Sequence, residues 1–286
     1  MKKELSIPLI TLMLVTMACS FTVNLPGMPT DTEKTVEIKQ ELPTGNQTIA
    51  VELNIGAGQL NLVGGANDLI NGTIQYNIPD WSPIIEYSDY HLKISQTETR
   101  ITGLPSDKLI NQWDLKLTDR IPLELSIQAG AYQGNLELGG LHLSSLKITD
   151  GASDTRVNFA ASNPVRMEQF KYNSGASTVT LSGLSNANFD YMQFTSGAGT
   201  YTLDFGGELK QDSEVNIETG MSTLKIIIPQ GTHAVIEVDG EMMDVNITGT
   251  WTAESNTYST EGSGNTLYIH VNMNLGSLTL IQNLPD

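Results

Sequence analysis

The sequence predicts an all-β chain wound as a β-solenoid, with irregular capping strands at both ends. Three observations carry that prediction. Apolar residues alternate with polar ones in short runs: Met192 and Phe194 lead into Gly197, and Tyr201 and Leu203 lead away from it. A period of two is the mark of a half-buried strand. A glycine corner stands between the two runs of each unit, at Gly56, Gly130, Gly151, Gly175, Gly197, Gly220 and Gly276. The central corners recur at separations of 21, 24, 22 and 23 residues. Periods in that range signal stacked repeats, none of which can bury its apolar face alone. A meander of antiparallel hairpins rolled into a sandwich also yields short alternating strands, but it leaves the near-constant period without a cause.

With the corner as origin, inward residues stand five and three before it and four and six after it. The set is Val51, Leu53, Leu60 and Leu62 around Gly56; Phe170, Tyr172, Val179 and Leu181 around Gly175; and Val215, Ile217, Leu224 and Ile226 around Gly220. Gly130 and Gly151 fit with two extra residues after the corner, so that Leu136 and Leu138, or Val157 and Phe159, lead out. At Gly276 the exit is shorter: Val271 and Met273 lead in, Leu278 and Leu280 lead out. Small residues follow most corners, as in Gly151-Ala152-Ser153 and Gly175-Ala176-Ser177. A residue without Cβ enters positive φ at little cost, and small neighbours let corners stack. A second punctuation follows the exit, at Gly139-Gly140, Gly183 and Gly206-Gly207. Each unit therefore reads as strand, corner, strand, turn.

Residues 1–18 read as a processing signal: Lys2 and Lys3, then a mostly apolar run from Leu5 to Met17 too short to span a bilayer comfortably. Cys19, the one cysteine in the chain, follows Ala18 directly and resembles the lipidated cysteine of a bacterial lipobox, with Thr16 in place of the usual aliphatic residue. An ordinary secretory peptide with a chance cysteine is the alternative. Both readings put the protein outside the cytoplasm, and the resemblance adds a membrane partner held through an N-terminal lipid. Residues 19–33, with Pro26, Gly27 and Pro29, form a flexible tether.

Residues 34–120 form an N-terminal capping β region. Val36 and Ile38 mark its first strand, and the first corner follows at Gly56. Beyond Asn67 the repeat is lost, although Thr73 to Ile78, Pro83 to Tyr87, His91 to Ser95 and Trp113 to Leu117 still read as strands. Thr97 to Ile110 reads as a surface loop with one helical turn near Lys108. Residues 121–229 are the regular coils. Residues 230–286 form a C-terminal β region and cap, with a polar excursion from Thr250 to Asn265 before alternation returns. End coils need such coverings because an open edge invites pairing.

The run Gly56-Ala57-Gly58-Gln59-Leu60-Asn61-Leu62, the later Gly72-Thr73-Ile74-Gln75-Tyr76, the Gly-Ala-Ser coils and Leu275-Gly276-Ser277-Leu278-Thr279-Leu280 together resemble the bacterial toast-rack family over Val36 to Ile281. Relatives in that family include adhesin-like domains and the C-terminal domain of LiaF-type cell-envelope stress regulators. The resemblance implies a right-handed, single-stranded β-solenoid on the outer side of a membrane. Its motifs are structural punctuation, so it implies no chemistry.

The formal net charge of −17 argues against nucleic acid and bare anionic lipid as partners. With one cysteine there is no internal disulfide, and stability rests on the packed core. His91, His142, His233 and His270 are scattered without the paired spacing of a metal site, and no cofactor motif occurs. The strongest carboxylate group is Asp150-Gly151-Ala152-Ser153-Asp154 with Arg156. Two carboxyls on a solenoid face are what a polysaccharide-cleaving enzyme needs. Ser174 and Ser196 occupy the place of Asp150 on the next coils, so the sequence favours a solvated corner. Thr178 and Thr180 align with Thr200 and Thr202, an outward array of good strand formers that Lys225 interrupts. Trp81 and Trp251 lie in the irregular ends, where each either contacts a ligand or packs a cap. The expectation is a non-enzymatic, adhesin-like envelope module whose partner is a protein or a glycan, with a carbohydrate-active solenoid enzyme as the alternative.

Overall fold

Seven long strands lie side by side and in parallel, the pairing of each with its neighbour interrupted at the corner residue. The computed structural model describes residues 31–96, 109–240 and 242–283. The signal, Cys19, the tether up to residue 30 and most of the predicted loop, residues 97–108, lie outside them. The seven strands are β2 (Ile49–Val63), β7 (Leu123–Glu137), β8 (Leu143–Asn158), β9 (Met167–Ser182), β10 (Phe189–Asp204), β11 (Ser213–Pro229) and β16 (Gly262–Asn283). They are consecutive neighbours in one 16-stranded sheet. Lead-in, corner and lead-out thus form one continuous strand, with the turn alone outside it.

Two of these neighbours are distant in sequence. β2 stacks on β7 in a register set by pairs such as Leu53 with Ile127 and Leu62 with Leu136. β16 stacks on β11, with Val215 opposite Ile269 and Ile226 opposite Leu280. The chain leaves the stack after β2 and again after β11, builds a cap each time, and returns.

The corner glycines form a column, and the reason is contact rather than backbone angle. A Cβ on Gly130 would lie 2.4 Å from the carbonyl oxygen of Gly56; on Gly151, 2.7 Å from that of Gly130; on Gly175, 2.3 Å from that of Gly151. Gly197 and Gly220 repeat the pattern at 2.7 and 2.5 Å. None of these six has a positive φ, contrary to the sequence expectation. Positive φ belongs to the position two residues on, at Gly58, Gly199 and Gly276.

That assignment corrects the seventh corner. Thr219 pairs with Met273 and Met221 with Leu275, so the residue opposite Gly220 is Asn274, and Gly276 stands opposite Ser222. The lead-in residues of β16 are accordingly Ile269 and Val271. A shift of two residues leaves every side chain on its own face, so alternation cannot detect it. The same ambiguity explains the two extra residues expected after Gly130 and Gly151. Gly134 and Thr155 fill the first inward exit position there, opposite Leu60 and Val179. Tyr132 packs into the space at Gly134, where a Cβ would meet its ring at 2.7 Å.

Two of the inward columns are apolar throughout and closed to solvent. Leu53, Ile127, Ile148, Tyr172, Phe194, Ile217 and Val271 are all buried, as are Leu62, Leu136, Val157, Leu181, Leu203, Ile226 and Leu280. Burying such side chains contributes about 1.5–3 kcal/mol each and is the main favourable term for the stack.

Both ends are capped by the same device, a coil split in two. At the N-terminal end the first half of β2 pairs with β5 (His91–Gln96), which pairs with β4 (Pro83–Ser88). The second half pairs with β6 (Asn111–Leu117), followed by β3 (Ile70–Tyr76) and β1 (Lys34–Gln40). Gln96 and Asn111 close the glycine column: the Gly56 N–H donates to Gln96 Oε1 at 2.9 Å, and Asn111 Nδ2 donates to the Ala57 carbonyl. At the C-terminal end β12 (Gly231–Asp239) covers the first half of β16 and is followed by β15 (Thr257–Thr260) and β14 (Thr252–Glu254). β13 (Met242–Thr248) covers the second half. The last inward column ends there on Ile247, which is 48% exposed.

Candidate functional site

Alternation across one corner produces two outward faces, one from the lead-in halves and one from the lead-out halves. The buried corner between them holds the carboxylate singled out by sequence. Asp150 is 5% exposed, which corrects the expectation of a solvated corner. It occupies the inward place just before the glycine, in a column that runs Ile55, Ala129, Asp150, Ser174, Ser196, Thr219.

Hydroxyls replace water around Asp150. Tyr172 donates to Oδ2 at 2.7 Å, and Ser174 and Ser177 donate to Oδ1 at 2.5 and 3.2 Å. The hydroxyl of Tyr132 adjoins Thr155 and Tyr172. Burial first, then the neighbouring tyrosine and the Asp150 charge, push the Tyr172 phenol well above its ordinary range. Burial does the same to Tyr132. Both therefore stay neutral, and Tyr172 stays a donor. Asp154, the second carboxylate of the motif, faces out on the other side of the corner and pairs with Arg156 at 3.4 Å. The two carboxyls do not converge on one solvent-open site.

The lead-in face carries a shallow depression of about 280 Å³, lined by Glu52, His91, Glu124, Ser126, Ser145 and Lys147 among others. It arises because Ala50, Ser126 and Ser145 are short while their neighbours are long. Glu52 is tied down within it: Asn54 donates to Oε1 at 2.6 Å, Lys93 lies at 3.4 Å and His91 at 3.5 Å. Burial alone would raise its carboxyl, but the Asn54 hydrogen bond and the Lys93 and His91 charges outweigh it and hold the group below its ordinary range. Glu52 is thus kept as an ion-paired carboxylate, the opposite of what a general acid needs.

The lead-out face is a ladder of amides and hydroxyls. Gln59 bonds Gln133 at 3.4 Å and Asn135 bonds Asn61 at 3.1 Å. The Asp154–Arg156 pair interrupts the ladder on β8, after which Thr178, Thr200 and Thr223 follow in one column, and Thr180, Thr202 and Lys225 in the next.

The two tryptophans chosen from sequence both pack caps. Trp81 closes a short 3-10 turn (Pro79–Trp81) and is 4% exposed, with its carbonyl accepting from Gln96 Nε2. No ring face is left there for a ligand. Trp251 is half-buried against the core and donates Nε1–H to the Thr248 carbonyl at 3.0 Å. Outward aromatics missed from sequence lie on the lead-in face, at Tyr191 and Tyr268. Their signal was present, since each precedes an inward residue, Met192 or Ile269, by one position.

Of the histidines, His270 Nδ1 lies 3.2 Å from Glu237 and His233 Nδ1 lies 3.1 Å from Thr266 Oγ1. Among the described residues no three His, Cys, Asp or Glu side chains are gathered as metal ligands, and no helix is long and apolar enough to cross a membrane.

Solved structures that the chain resembles include three that each span most of this chain and nearly the whole of their own. A "putative cell adhesion protein" from Clostridium sporogenes is 21% identical, covers 88% of this chain and 100% of its own, and superposes with a TM-score of 0.49. A "putative adhesin" from Parabacteroides merdae is 13% identical over 91% of this chain and 99% of its own, at 0.36. A "putative lipid binding protein" from Parabacteroides distasonis is 10% identical over 91% and 99%, at 0.35. No curated protein matches. The family model described as the N-terminal domain of toast_rack, DUF2154, matches residues 26–169, which is half of the chain and takes in the N-terminal cap, β2, β7, β8 and the glycine column between them; the chain belongs to the toast-rack family.

Proposed function

We propose that this toast-rack protein is a non-enzymatic, adhesin-like binding module, lipid-anchored at Cys19 and displayed outside the cytoplasm on a bacterial envelope. The observation that carries the reading is the division of side chains. Apolar residues and Asp150, the one buried carboxylate among the described residues, turn inward, while both outward faces present hydrogen-bonding side chains in register. Such faces suit an extended partner, protein or glycan, better than a small substrate. The described chain enters the stack at its N-terminal end, where the Asp31 N–H donates to the Asn77 carbonyl. An anchor at Cys19 would leave the opposite end of the ladder pointing away from the lipid.

Two measurements test the proposal. Cys19→Ala should move the protein from the membrane to the soluble fraction, and unchanged membrane association would remove the lipid anchor. Incubation with a panel of envelope polysaccharides should release no new reducing or unsaturated ends. Their appearance would replace the binding module by a solenoid enzyme, for which the depression holding Glu52 and Glu124 would be the first place to look.

A further inference from the structure

We infer that the lead-in face carries a platform for a neutral, extended polysaccharide, laid across β10, β11 and β16 with sugar rings on Tyr191 and Tyr268. The inference deepens the adhesin-like reading above and rests on it.

Tyr191 pairs with Glu214, and Glu214 pairs with Tyr268, so the three occupy one column on three consecutive strands. All three point outward, because the next residues, Met192, Val215 and Ile269, are buried. Neighbouring strands lie about 4.8 Å apart, which separates the two tyrosines by roughly 9–10 Å along the stacking axis. That interval is close to the repeat of a two-fold, 1,4-linked β-glycan, in which every second ring presents the same face.

The ring of Tyr191 is tethered at its hydroxyl. Its hydroxyl accepts a hydrogen bond from Asn216 Nδ2 at 3.0 Å. Asn216 lies one strand over and two residues along from Tyr191. A phenol reaching that far along the neighbouring strand leans over the sheet, and at intermediate burial Tyr191 keeps part of its ring open to solvent. Tyr268 is 45% exposed. Aromatic faces of this kind accept the C–H side of a sugar ring, while a polar handle fixes orientation.

The groups between the rings complete the chemistry. Glu214 is exposed midway between the tyrosines and can accept from two neighbouring hydroxyls of the intervening sugar. Gln193, Asn216 and His270 align in the next outward column and add donors and acceptors. The carboxylates of Glu214 and Glu218, on a chain of net charge −17, disfavour an anionic polymer. A neutral glycan meets no such penalty.

The test is calorimetric titration of the full-length protein with cellohexaose and chitohexaose, with hexalysine and an oligogalacturonate as charged comparators. One of the neutral oligosaccharides should bind. Tyr191→Ala and Tyr268→Ala should each weaken it about ten-fold, and Glu214→Gln by a smaller factor. Glu37→Gln on the edge strand β1, at the far end of the sheet, should leave the affinity unchanged. Thermal melts check that the variants stay folded; should Tyr191→Ala lower the melting temperature, Tyr268→Gln on the more exposed ring carries the test. Binding of neither neutral oligosaccharide, undiminished binding by the double tyrosine variant, or a preference for hexalysine would each overturn the platform. Envelope fragments separate its failure from that of the adhesin-like reading. Wild-type protein that ignores both oligosaccharides yet binds isolated envelope refutes the platform alone. Protein that binds neither refutes both.

Discussion

Tyr172 reaches from one coil to the next and donates its phenolic hydrogen to Asp150 Oδ2 at 2.7 Å. With Ser174 and Ser177 on Oδ1, the carboxylate is solvated by protein hydroxyls instead of water. Asp150→Ala should therefore destabilise the protein by about 3 kcal/mol, because three donors, Tyr172 and Ser177 buried and Ser174 partly so, lose their acceptor. Tyr172→Phe should cost about 1.5–3 kcal/mol. In urea denaturation the double variant should lose clearly less than the sum, and strict additivity would mean that the hydrogen bond contributes nothing.

The glycine column makes a steric prediction. A methyl on Gly175 would sit 2.3 Å from the Gly151 carbonyl oxygen, so Gly175→Ala must push two coils apart. A loss of about 2–3 kcal/mol is expected. Gly140 has a positive φ of 77° and open space around its missing side chain. Gly140→Ala should cost only the left-handed backbone strain, about 1 kcal/mol. Equal losses in the two variants would show that the corner column is not set by close approach.

One inward column supplies its own control at the open end. Ile226 is fully buried and Ile247, two strands further along the same column, is 48% exposed. Ile226→Ala should cost about 2–5 kcal/mol and Ile247→Ala less than about 1 kcal/mol. A comparable loss at Ile247 in thermal or urea unfolding would mean that something covers the end of the ladder.

Glu52 predicts a pH response. Its carboxyl is held below the ordinary value of 4.5. A depressed folded value means that the unfolded chain binds the proton more readily, so stability is full above about pH 4.5 and falls as pH drops through the folded value. Glu52→Gln should flatten that fall. Urea midpoints between about pH 3 and about pH 7 should converge for wild type and variant at the acid end, and parallel curves would refute the assignment.

Much of this architecture was legible in the chain. Alternation identified which side chains turn inward, and the spacing of Gly130, Gly151, Gly175, Gly197 and Gly220 identified the stack. Alternation has period two, however, and is blind to a shift of two residues. It could not tell that Asn274, not Gly276, continues the glycine column, nor that Gly134 and Thr155 sit inside rather than in a longer corner. Residue type left ligand contact and cap packing equally open at Trp81, and its burial in the cap is a tertiary fact.

Sequence by itself determined the strands, their inward faces and the repeat, because those depend on neighbours a few positions away. Which distant strands meet was decided only by the tertiary structure: β2 lies on β7, and β16 on β11, across long detours of chain. The burial of Asp150 was decided there too. An aspartate can leave water only where hydroxyls from other coils arrive to replace it, and no local pattern records who arrives.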